Sequence, residues 1–387
     1  MTSGPNRKNI AYVSGTRADF GLMIPVLREI AKSEFLSLKI YATGMHLMPE
    51  FGETVHEVEK EFPDVTRLPA VFESDARSAQ AVFSGALLPL LVSALQTDRP
   101  DFVLLLGDRP EMLCTALACV YLGIPTGHLH GGDESGTVDD VTRHAITKLA
   151  HVHFPATQEA AGRIVKMGED PERIHVVGAP ALDTILNQPL PTREELFRRL
   201  ELDPNQQILL ITQHPVTETA NEAARQMEET LAAANSFEMP IVISYPNADP
   251  GGREMIDVIE RERSNPRVRI FQNLPHTDFL ALEREAAVWI GNSSGAMIES
   301  ASFQTPVVNI GTRQVGRQRG DNVIDASHDR ADITVAITRA LSDPEFRARL
   351  STVTNPWGDG NAALRVVRFL ETLDDTSSLL MKRFNYE

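Results

Sequence analysis

The residues best suited to acid–base chemistry are concentrated in one stretch of the chain, residues 127–154. An apolar run ending at Pro125 precedes it, the pair Gly131 and Gly132 interrupts it, and an amphipathic pattern follows. The ionisable residues of its first half are His128, His130, Asp133, Glu134, Asp139, Asp140, Arg143 and His144. The pattern predicts a strand, a glycine turn, a polar loop and a helix, and α/β enzymes carry acids and bases on such loops. A solvated loop would be charged too, but would rarely need two glycines and so many histidines. The stretch therefore predicts a functional site.

A second candidate acid follows the almost purely apolar segment 102–106, which reads as a central parallel strand covered on both faces. Asp108 and Arg109 come directly after it, at the carboxyl edge of the predicted sheet. Asp108 could serve chemistry there, or it could cap the helix predicted to begin at Pro110. Position alone leaves both interpretations open.

The first strand, residues 9–14, also ends in a polar turn. Gly15 and Thr16 lead to Arg17, and a helical pattern follows. Backbone N–H groups at such a turn can bind an anion, and Arg17 adds a positive charge. Taken alone this signal is weak.

The second half of the chain has its own candidate site residues. His214 follows the predicted strand 207–212, and Asn247 follows the strand 241–245. After the strand 287–291, Ser293, Ser294 and Gly295 lead into a helix, which is a suitable cradle for phosphate. Glu299, one turn further, could accept hydrogen bonds from ribose hydroxyls or cap the helix.

A basic loop follows the predicted strand 307–310. Arg313, Arg317 and Arg319 lie within it, between glycines. In so acidic a protein these arginines suggest a clamp on phosphate oxygens.

No metal site is predicted. His151 and His153 alternate in a strand and would share a face, but the sequence places no third ligand beside them. Cys114 and Cys119, the two cysteines, lie in an apolar helical segment and are expected to be buried thiols in a reduced compartment.

Composition indicates a folded protein with a substantial core, since 42% of its 387 residues are hydrophobic and 23% are charged. The net charge of −16 argues against nucleic acid or an anionic membrane as a partner. The apolar stretch 81–95 is judged too short and interrupted to span a bilayer. The N-terminal residues show no apolar signal region. A cytoplasmic protein is expected.

The order of elements predicts an α/β protein with two Rossmann-like, doubly wound parallel-sheet domains that face a cleft. Strands are predicted at 9–14, 37–41, 102–106, 124–129, 151–154, 173–177, 207–212, 241–245, 268–271, 287–291 and 307–310. The expected domains are residues 1–185, with the acid–base loops, and 186–370, which binds nucleotide. A tail, 371–387, is expected to pack back on the first domain, and the helix predicted at 362–373 to cross onto the first half.

Several segments, in order and over nearly the whole chain, resemble the hydrolysing UDP-N-acetylglucosamine 2-epimerases. These segments are GTRADFG at 15–21, GDRPEML at 107–113, HGGDESGTVDD at 130–140, RHAITKLAH at 143–151, QHPVT at 213–217, GNSSGAMIE at 291–299 and NIGTRQVGR at 309–317. The resemblance implies a GT-B-type fold, homodimers or homotetramers, and a reaction without metal or cofactor. In that reaction UDP-N-acetylglucosamine and water become N-acetylmannosamine and UDP, on the route to sialic acid.

The resemblance also implies roles for residues of this chain. The expected catalytic set is Asp108, His130, Asp133, Asp139 and His214. The expected substrate-binding set is Arg17, Arg109, Asn247, Ser293, Ser294, Gly295, Glu299 and Arg313. Arg17, His214, Ser293, Ser294 and Arg313 would hold the diphosphate, while Asp108, Asp139 and residue 130 match the family's acid–base set.

Two positions depart from the family pattern. Residue 130 is His where the better-known members carry Glu, and residue 21 is Gly where animal members carry Ser near the nucleotide. Asp133 and Glu134 could take over part of the missing carboxylate's role. The alternatives for the substrate are a UDP-linked 2,4-diacetamido-6-deoxy sugar and GDP-linked GlcNAc. The alternatives for the activity are a GT-B glycosyltransferase and a non-catalytic sensor of sugar nucleotides.

Overall fold

A computed structural model describes residues 7–74, 76–135, 138–383 and 385, except for the side chains of residues 77 and 138. The described chain forms two six-stranded sheets in which every strand pairing is parallel. The first half contains β1 (Lys8–Ser14), α1 (Arg17–Lys32), β2 (Leu36–Ala42), α2 (Val55–Glu61), β3 (Thr66–Arg67), α3 (Arg77–Asp98), β4 (Phe102–Leu106), α4 (Pro110–Leu122), β5 (Thr126–Leu129), α5 (Val138–Leu149), β6 (Val152–Phe154), α6 (Gln158–Lys166) and α7 (Ala181–Asn187).

The second half repeats the plan. Its elements are α8 (Arg193–Arg199), β7 (Ile208–Thr212), α9 (Ala223–Asn235), β8 (Ile241–Ser244), α10 (Gly252–Arg261), β9 (Val268–Phe271), α11 (His276–Glu285), β10 (Ala286–Gly291), α12 (Ser294–Ile298), α13 (Ser300–Phe303), β11 (Val307–Ile310), β12 (Val323–Ala326), α14 (Arg330–Ser342), α15 (Pro344–Leu350) and α16 (Ala362–Thr372).

Both sheets have the Rossmann strand order. The first runs β3-β2-β1-β4-β5-β6, and the second runs β9-β8-β7-β10-β11-β12. In each sheet the order therefore reverses beside the half's first strand, which is where such folds bind ligands. The predicted fold class is confirmed, although the sequence missed the edge strands β3 and β12.

The apolar runs that predicted central strands are buried on both sides of their sheets. In β7, Leu209 and Ile211 belong to one apolar cluster, while Ile208 and Leu210 belong to the cluster on the opposite face. This arrangement follows from the alternation of side chains along a strand, and it is why such strands show no polar face.

The strand predicted at 173–177 is wrong. Pro171–Arg173 forms a short 3₁₀ turn, and only an isolated bridge between Ile174 and His153 remains. The segment still runs beside β6, because the His175 and Val177 amides donate to the carbonyls of His153 and Pro155.

The prediction that the apolar stretch 81–95 is too short to cross a bilayer is wrong about the length of the apolar helix. The helix continues, and Ser78–Asp98 is long and apolar enough by length and composition. The same test is passed by core helices of soluble proteins, so it is weak evidence for a membrane span. One side of α3 does pack in the first core, through Phe83, Leu87, Leu91 and Leu95.

The chain returns to its first domain at the end. In α16, the side chains of Ala362, Val366 and Leu370 are buried in the core of the first sheet. The Asp183 carboxylate accepts from the amides of Ala362 and Ala363, both at 2.8 Å, and so anchors the start of this helix. The domain boundaries at 185 and 370 stay predictions.

Candidate active site

A cavity lies where the two halves meet, and its walls come from the loops after the strands of both sheets. All thirteen residues of the expected catalytic and substrate-binding sets line this one cavity. They are Arg17, Asp108, Arg109, His130, Asp133, Asp139, His214, Asn247, Ser293, Ser294, Gly295, Glu299 and Arg313. The structure thus brings together positions far apart in the chain, while the role of each residue stays a prediction.

The turn after β1 places Arg17 across the cleft. Thr16 caps α1 and forms a capping box with Asp19, which fixes the direction in which the helix leaves the turn. The guanidinium of Arg17 donates to the carbonyl of Leu274 in the second half. Burial lowers the pKa of Arg17 to about 10, so the residue is still charged near neutral pH.

Asp108 forms an ion pair with Arg143, a residue that the sequence analysis named without giving it a role. Arg143 is only 1% exposed, and it also donates to Asp140 at 2.5 Å and to the backbone carbonyl of Asp133 at 3.0 Å. Asp108 does not cap α4, since the N-cap residue is Arg109 and makes no capping hydrogen bond. The capping alternative for Asp108 is therefore not observed.

The carboxyl groups of Asp108 and Asp139 have pKa values shifted in opposite directions. Burial opposes ionisation of Asp108, but the charges of Arg143 and Arg317 outweigh it and lower the pKa. Burial, with the nearby negative charge of Asp108, raises the pKa of Asp139 to about 6. Since the two groups interact, they titrate as a pair. A site that shifts the pKa values of two carboxyl groups in opposite directions can offer one group as a base and the other as an acid.

His130 directly follows β5, and its side chain lines the cavity. Its Nδ1 lies 3.1 Å from Oδ2 of Asp133, and both side chains are nearly inaccessible to solvent. The other ring nitrogen, Nε2, is buried and has no hydrogen-bond partner among the described residues. His128, two residues earlier, has a hydrogen-bond partner at each ring nitrogen: Thr147 Oγ1 lies at 3.1 Å and the Gly107 carbonyl at 2.7 Å. Its hydrogen bonds therefore serve the fold.

His214 is held by two asparagines from neighbouring loops. Asn292 accepts from the His214 amide at 2.7 Å and donates to its carbonyl at 2.9 Å. The backbone N–H of Asn247 donates to Nδ1 of His214 at 3.1 Å, so the ring proton is on Nε2. Burial, reinforced by the charges of Arg313 and Arg109, lowers the pKa of His214 to about 3. The ring is therefore a neutral hydrogen-bond donor near neutral pH, which argues against a role as proton carrier.

The loop after β10 leads through Ser293, whose Oγ accepts from the Gly295 amide at 3.3 Å. The helix then breaks at Glu299, between the short helices α12 and α13, and Glu299 makes no side-chain cap there. Burial raises the pKa of Glu299. The capping alternative for this residue is not observed either.

Glu283 is a buried acid that the sequence analysis missed. Burial and the nearby charge of Glu299 raise its pKa well above the usual value, so the two carboxyl groups cannot both be ionised easily. A detectable signal existed, because Glu283 follows Phe279 and Leu280 at helical spacing and so lies on the buried side of α11.

The predicted arginine clamp is only partly observed. Arg313 lines the cavity and donates to the Asn292 carbonyl at 3.1 Å. Arg317 lines it too, and its Nε is buried without a partner among the described residues. Arg319 is not among the lining residues, because it forms a two-pronged ion pair with Asp325 at 2.5–2.6 Å. Including Arg319 in the clamp was wrong.

The described residues contain no group of three or more His, Cys, Asp or Glu side chains arranged to hold a metal ion. His151 and His153 have different hydrogen-bond partners: Nδ1 of His151 accepts from the Thr126 backbone N–H, whereas Nε2 of His153 pairs with Glu169 at 3.0 Å. Cys114 and Cys119 are buried free thiols, as predicted.

Two facing Rossmann-like domains with a shared cavity define a GT-B-type protein. Within that class, the chain belongs to the UDP-N-acetylglucosamine 2-epimerase family, whose family model matches residues 28–371. Membership makes the chain an epimerase and confirms the resemblance carried by the sequence motifs.

Individual relatives differ in their substrates. The chain is 39% identical over 376 residues to a hydrolysing UDP-N,N'-diacetylbacillosamine 2-epimerase of Legionella pneumophila, covering 97% of this chain and 98% of that protein. It is 33% identical to a hydrolysing GDP/UDP-N,N'-diacetylbacillosamine 2-epimerase of Campylobacter jejuni, covering 84% and 86%. It is 32% identical to a UDP-N-acetylglucosamine 2-epimerase of Neisseria meningitidis, covering 95% of both.

Solved structures agree in fold. UDP-GlcNAc 2-epimerase from Neisseria meningitidis, bound to UDP-GlcNAc, superposes with a TM-score of 0.78 at 20% identity, covering 94% of this chain and 99% of that one. The enzyme of Methanocaldococcus jannaschii, in complex with UDP-GlcNAc and UDP, gives the same TM-score, identity and coverage. At this identity the likeness shows the fold alone.

Proposed function

We propose that this protein is a hydrolysing 2-epimerase of a UDP-linked 2,4-diacetamido-6-deoxy sugar, the class to which UDP-N,N'-diacetylbacillosamine belongs. The observation that carries the proposal is the full-length similarity to the Legionella enzyme, at 39% identity over 97% of this chain. His130 supports it, because the better-known enzymes for UDP-N-acetylglucosamine carry Glu at that position. The reaction on UDP-N-acetylglucosamine, on the route to sialic acid, is the second candidate, supported by the Neisseria relative.

The chemistry requires the nucleotide to leave before the sugar can be epimerised. The proton on C2 is hardly acidic, because no carbonyl is attached to that carbon. Once the C1–O bond breaks and the electron pair leaves with UDP, C1 becomes positively charged and the neighbouring proton becomes acidic. Loss of that proton gives a glycal, and water then adds at C1 while a proton is delivered to the other face of C2. The products are UDP and the free 2-epimer.

The charged groups of the cavity fit the two halves of this reaction. Asp108, ionised beside Arg143, can stabilise positive charge at C1 or activate the water that adds there. Asp139, whose pKa is raised to about 6, can hold the proton that C2 receives. Inversion at C2 needs groups on both faces of the ring, and His130 is a further ionisable side chain that lines the cavity.

The remaining predicted residues suit the nucleotide. Arg17, Ser293, Ser294 and Arg313 supply donors for the diphosphate, and neutral His214 can donate from Nε2 to the same anion. Glu299 can accept from the ribose hydroxyls, while Arg109 and Asn247 can contact the substrate beside them. We propose no metal or cofactor for the reaction, and turnover after exhaustive chelation tests this.

Incubation with each nucleotide sugar in D₂O, followed by proton NMR, tests the proposal. We expect UDP and the free 2-epimer from the diacetamido substrate, with deuterium at C2, and at least about tenfold lower kcat/KM for UDP-GlcNAc. Preference for UDP-GlcNAc would move the assignment to the second candidate, and preference for GDP-linked GlcNAc to the third. Sugar released without epimerisation would indicate a glycosyltransferase, and binding without turnover would indicate a sensor.

We further propose that the protein is a homodimer or homotetramer in the cytoplasm. Support for assembly comes from α3, where only 28% of the most apolar window is buried. Residues 78–97 carry no charged side chain in a protein of net charge −16, so this surface allows two copies to approach without repulsion.

A further inference from the structure

His130 occupies a backbone conformation that few side chains adopt. Its φ angle is +58°, in the left-handed region, directly before two glycines. The neighbouring Gly131 has no room for a side chain, since a Cβ there would lie 2.8 Å from Nδ1 of His128. The backbone is therefore confined at this turn, and His130 lines the cavity.

Three groups surround the ring. Asp133 Oδ2 lies 3.1 Å from Nδ1. The Trp357 ring lies beside it, with the ring centroids 5.9 Å apart and tilted by 35°, and Trp357 is itself held by its Nε1–H donating to the Gln318 carbonyl at 3.1 Å. Glu299 is a charged neighbour of His130 in the cavity. Nε2 is buried and has no hydrogen-bond partner among the described residues, although a buried polar atom normally has one.

The backbone of Asp133 is held independently of the histidine. Its side chain is 3% exposed, and its backbone carbonyl accepts from Nη1 of Arg143 at 3.0 Å. Arg143 is the same buried residue that pairs with Asp108. One arginine therefore contacts both the Asp108 carboxylate and the backbone of Asp133.

We propose that Asp133 is a positioning residue that holds the proton of neutral His130 on Nδ1, so that Nε2 is the atom that takes the proton from C2 of the sugar. This rests on the proposed function, and it separates the roles of two residues that the sequence placed together in the catalytic set. Nε2 has the lone pair that a base needs, because Nδ1–H donates to the Asp133 carboxylate. A carboxylate behind a histidine fixes tautomer and orientation in other enzymes in the same way.

The proton and electron balance of the step is complete within the site. As the C1–O bond breaks, its electron pair leaves with UDP. Nε2 accepts the C2 proton, and the electrons of the C2–H bond form the C1=C2 double bond. The imidazolium that results is stabilised by Asp133. In the hydration step Asp139 delivers its proton to the other face of C2, water adds at C1, and the Asp108 carboxylate takes the proton that this water loses. The two faces of C2 are thus served by different residues, and the configuration inverts. Exchange with solvent then restores the starting protonation states of His130, Asp108 and Asp139.

Nitrogen-15 NMR of histidine-labelled protein tests the orientation directly. The His130 resonances are those missing from the His130→Gln variant. We expect the Nδ1–H tautomer in the unliganded wild type. In Asp133→Asn the amide can donate to Nδ1, and we expect the proton to move to Nε2. An Nε2–H tautomer in the wild type, or one that does not respond to Asp133→Asn, would overturn the proposal without reference to any substrate.

A double-mutant cycle tests whether Asp133 acts through His130. Asp133→Asn should slow turnover about 10²–10⁴-fold in the wild type while UDP still binds. In the His130→Gln background, and in His130→Glu, it should cause little further loss. An equal loss in all three backgrounds would show that Asp133 acts independently. The control is Asp64→Asn, the same chemical change at a side chain that is 98% exposed. The cycle works with whichever sugar is epimerised, so it is separable from failure of the substrate assignment.

Discussion

Asp108 and Asp139 are the same residue type in one cavity, and their surroundings give them different proton affinities. Arg143 and Arg317 favour the charged form of Asp108 despite its burial. Asp139 has the charge of Asp108 nearby and is largely removed from water. The sequence indicated that both acids belong to a site, because each follows a strand or opens a helix at the carboxyl edge. It could not indicate their protonation, because that of Asp108 depends on Arg143 and Arg317, and that of Asp139 depends on burial and on Asp108.

We predict that Asp108→Asn and Asp139→Asn each reduce turnover about 10²–10⁴-fold, the usual contribution of a general acid or base. Asparagine keeps the shape of aspartate but cannot transfer a proton. UDP affinity, measured by calorimetry, should change little, because both residues serve the sugar. Full turnover in either variant would remove that residue from the acid–base set.

The raised pKa of Asp139 predicts a pH dependence of definite sign. The carboxyl holds its proton below about pH 6 and loses it above, so kcat/KM should fall as the pH rises through that value. Asp108→Asn removes a negative charge that helps to raise the pKa, so the Asp139 titration should then move to lower pH. Carbon-13 NMR of labelled aspartate follows this shift, with Asp139→Asn as the assignment control. A titration that stays in place would contradict the electrostatic account.

At the scale of elements, hydrophobic runs were sufficient to predict most strands, because parallel strands buried on both faces are apolar throughout. The exception at 173–177 shows the limit of that signal, since an apolar segment can lie extended beside β6 without completing a ladder. The short edge strands β3 and β12 were missed because edge strands lack a long apolar run. Glu283 was missed for a different reason. The carboxyl group of Glu299, whose charge helps to raise the pKa of Glu283, lies on another element.

We expect the loops after β10 and β11 to provide most of the contacts to the nucleotide. We predict that Ser293→Ala and Arg313→Ala each weaken UDP binding by about 1–3 kcal/mol, the loss of a charge-assisted hydrogen bond. Calorimetric titration with UDP measures the change. Arg319→Ala is the matched control, because its guanidinium pairs with Asp325 outside the cavity. Unchanged affinity and turnover in both test variants would remove them from the site.

For the whole molecule, contacts across the cleft join the two domains around the cavity. Arg253 pairs with Glu50 at 2.6 Å, and Asn273 donates to Glu57 at 2.9 Å, in addition to the bond from Arg17 to Leu274. The sequence predicted the two domains and the cleft, since each half repeats the same alternation of strands and helices. It could not predict these contacts, because they join residues of different elements that follow no common periodic pattern.

The exposed apolar side chains of the first domain predict self-association. Val82 on α3 is 57% exposed, and Tyr121 on α4 is 84% exposed. We predict that the double variant Val82→Glu with Tyr121→Glu shifts the protein from dimer or tetramer to monomer in light scattering, because it places charge on an apolar interface. Val335→Glu, at a 66% exposed valine on α14, is the control. A monomeric wild type, or an unaltered mass in the double variant, would contradict this surface as the interface.

The burial of α16 in the core of the first sheet has a consequence for biosynthesis. The ribosome makes the strands of that sheet first, yet the helix that completes its core emerges only after the whole second sheet. The second sheet and its helices, all encoded before residue 351, have no such requirement. We therefore expect the domain encoded second to finish folding first, while the domain encoded first waits, with apolar surface uncovered, until α16 has left the ribosome.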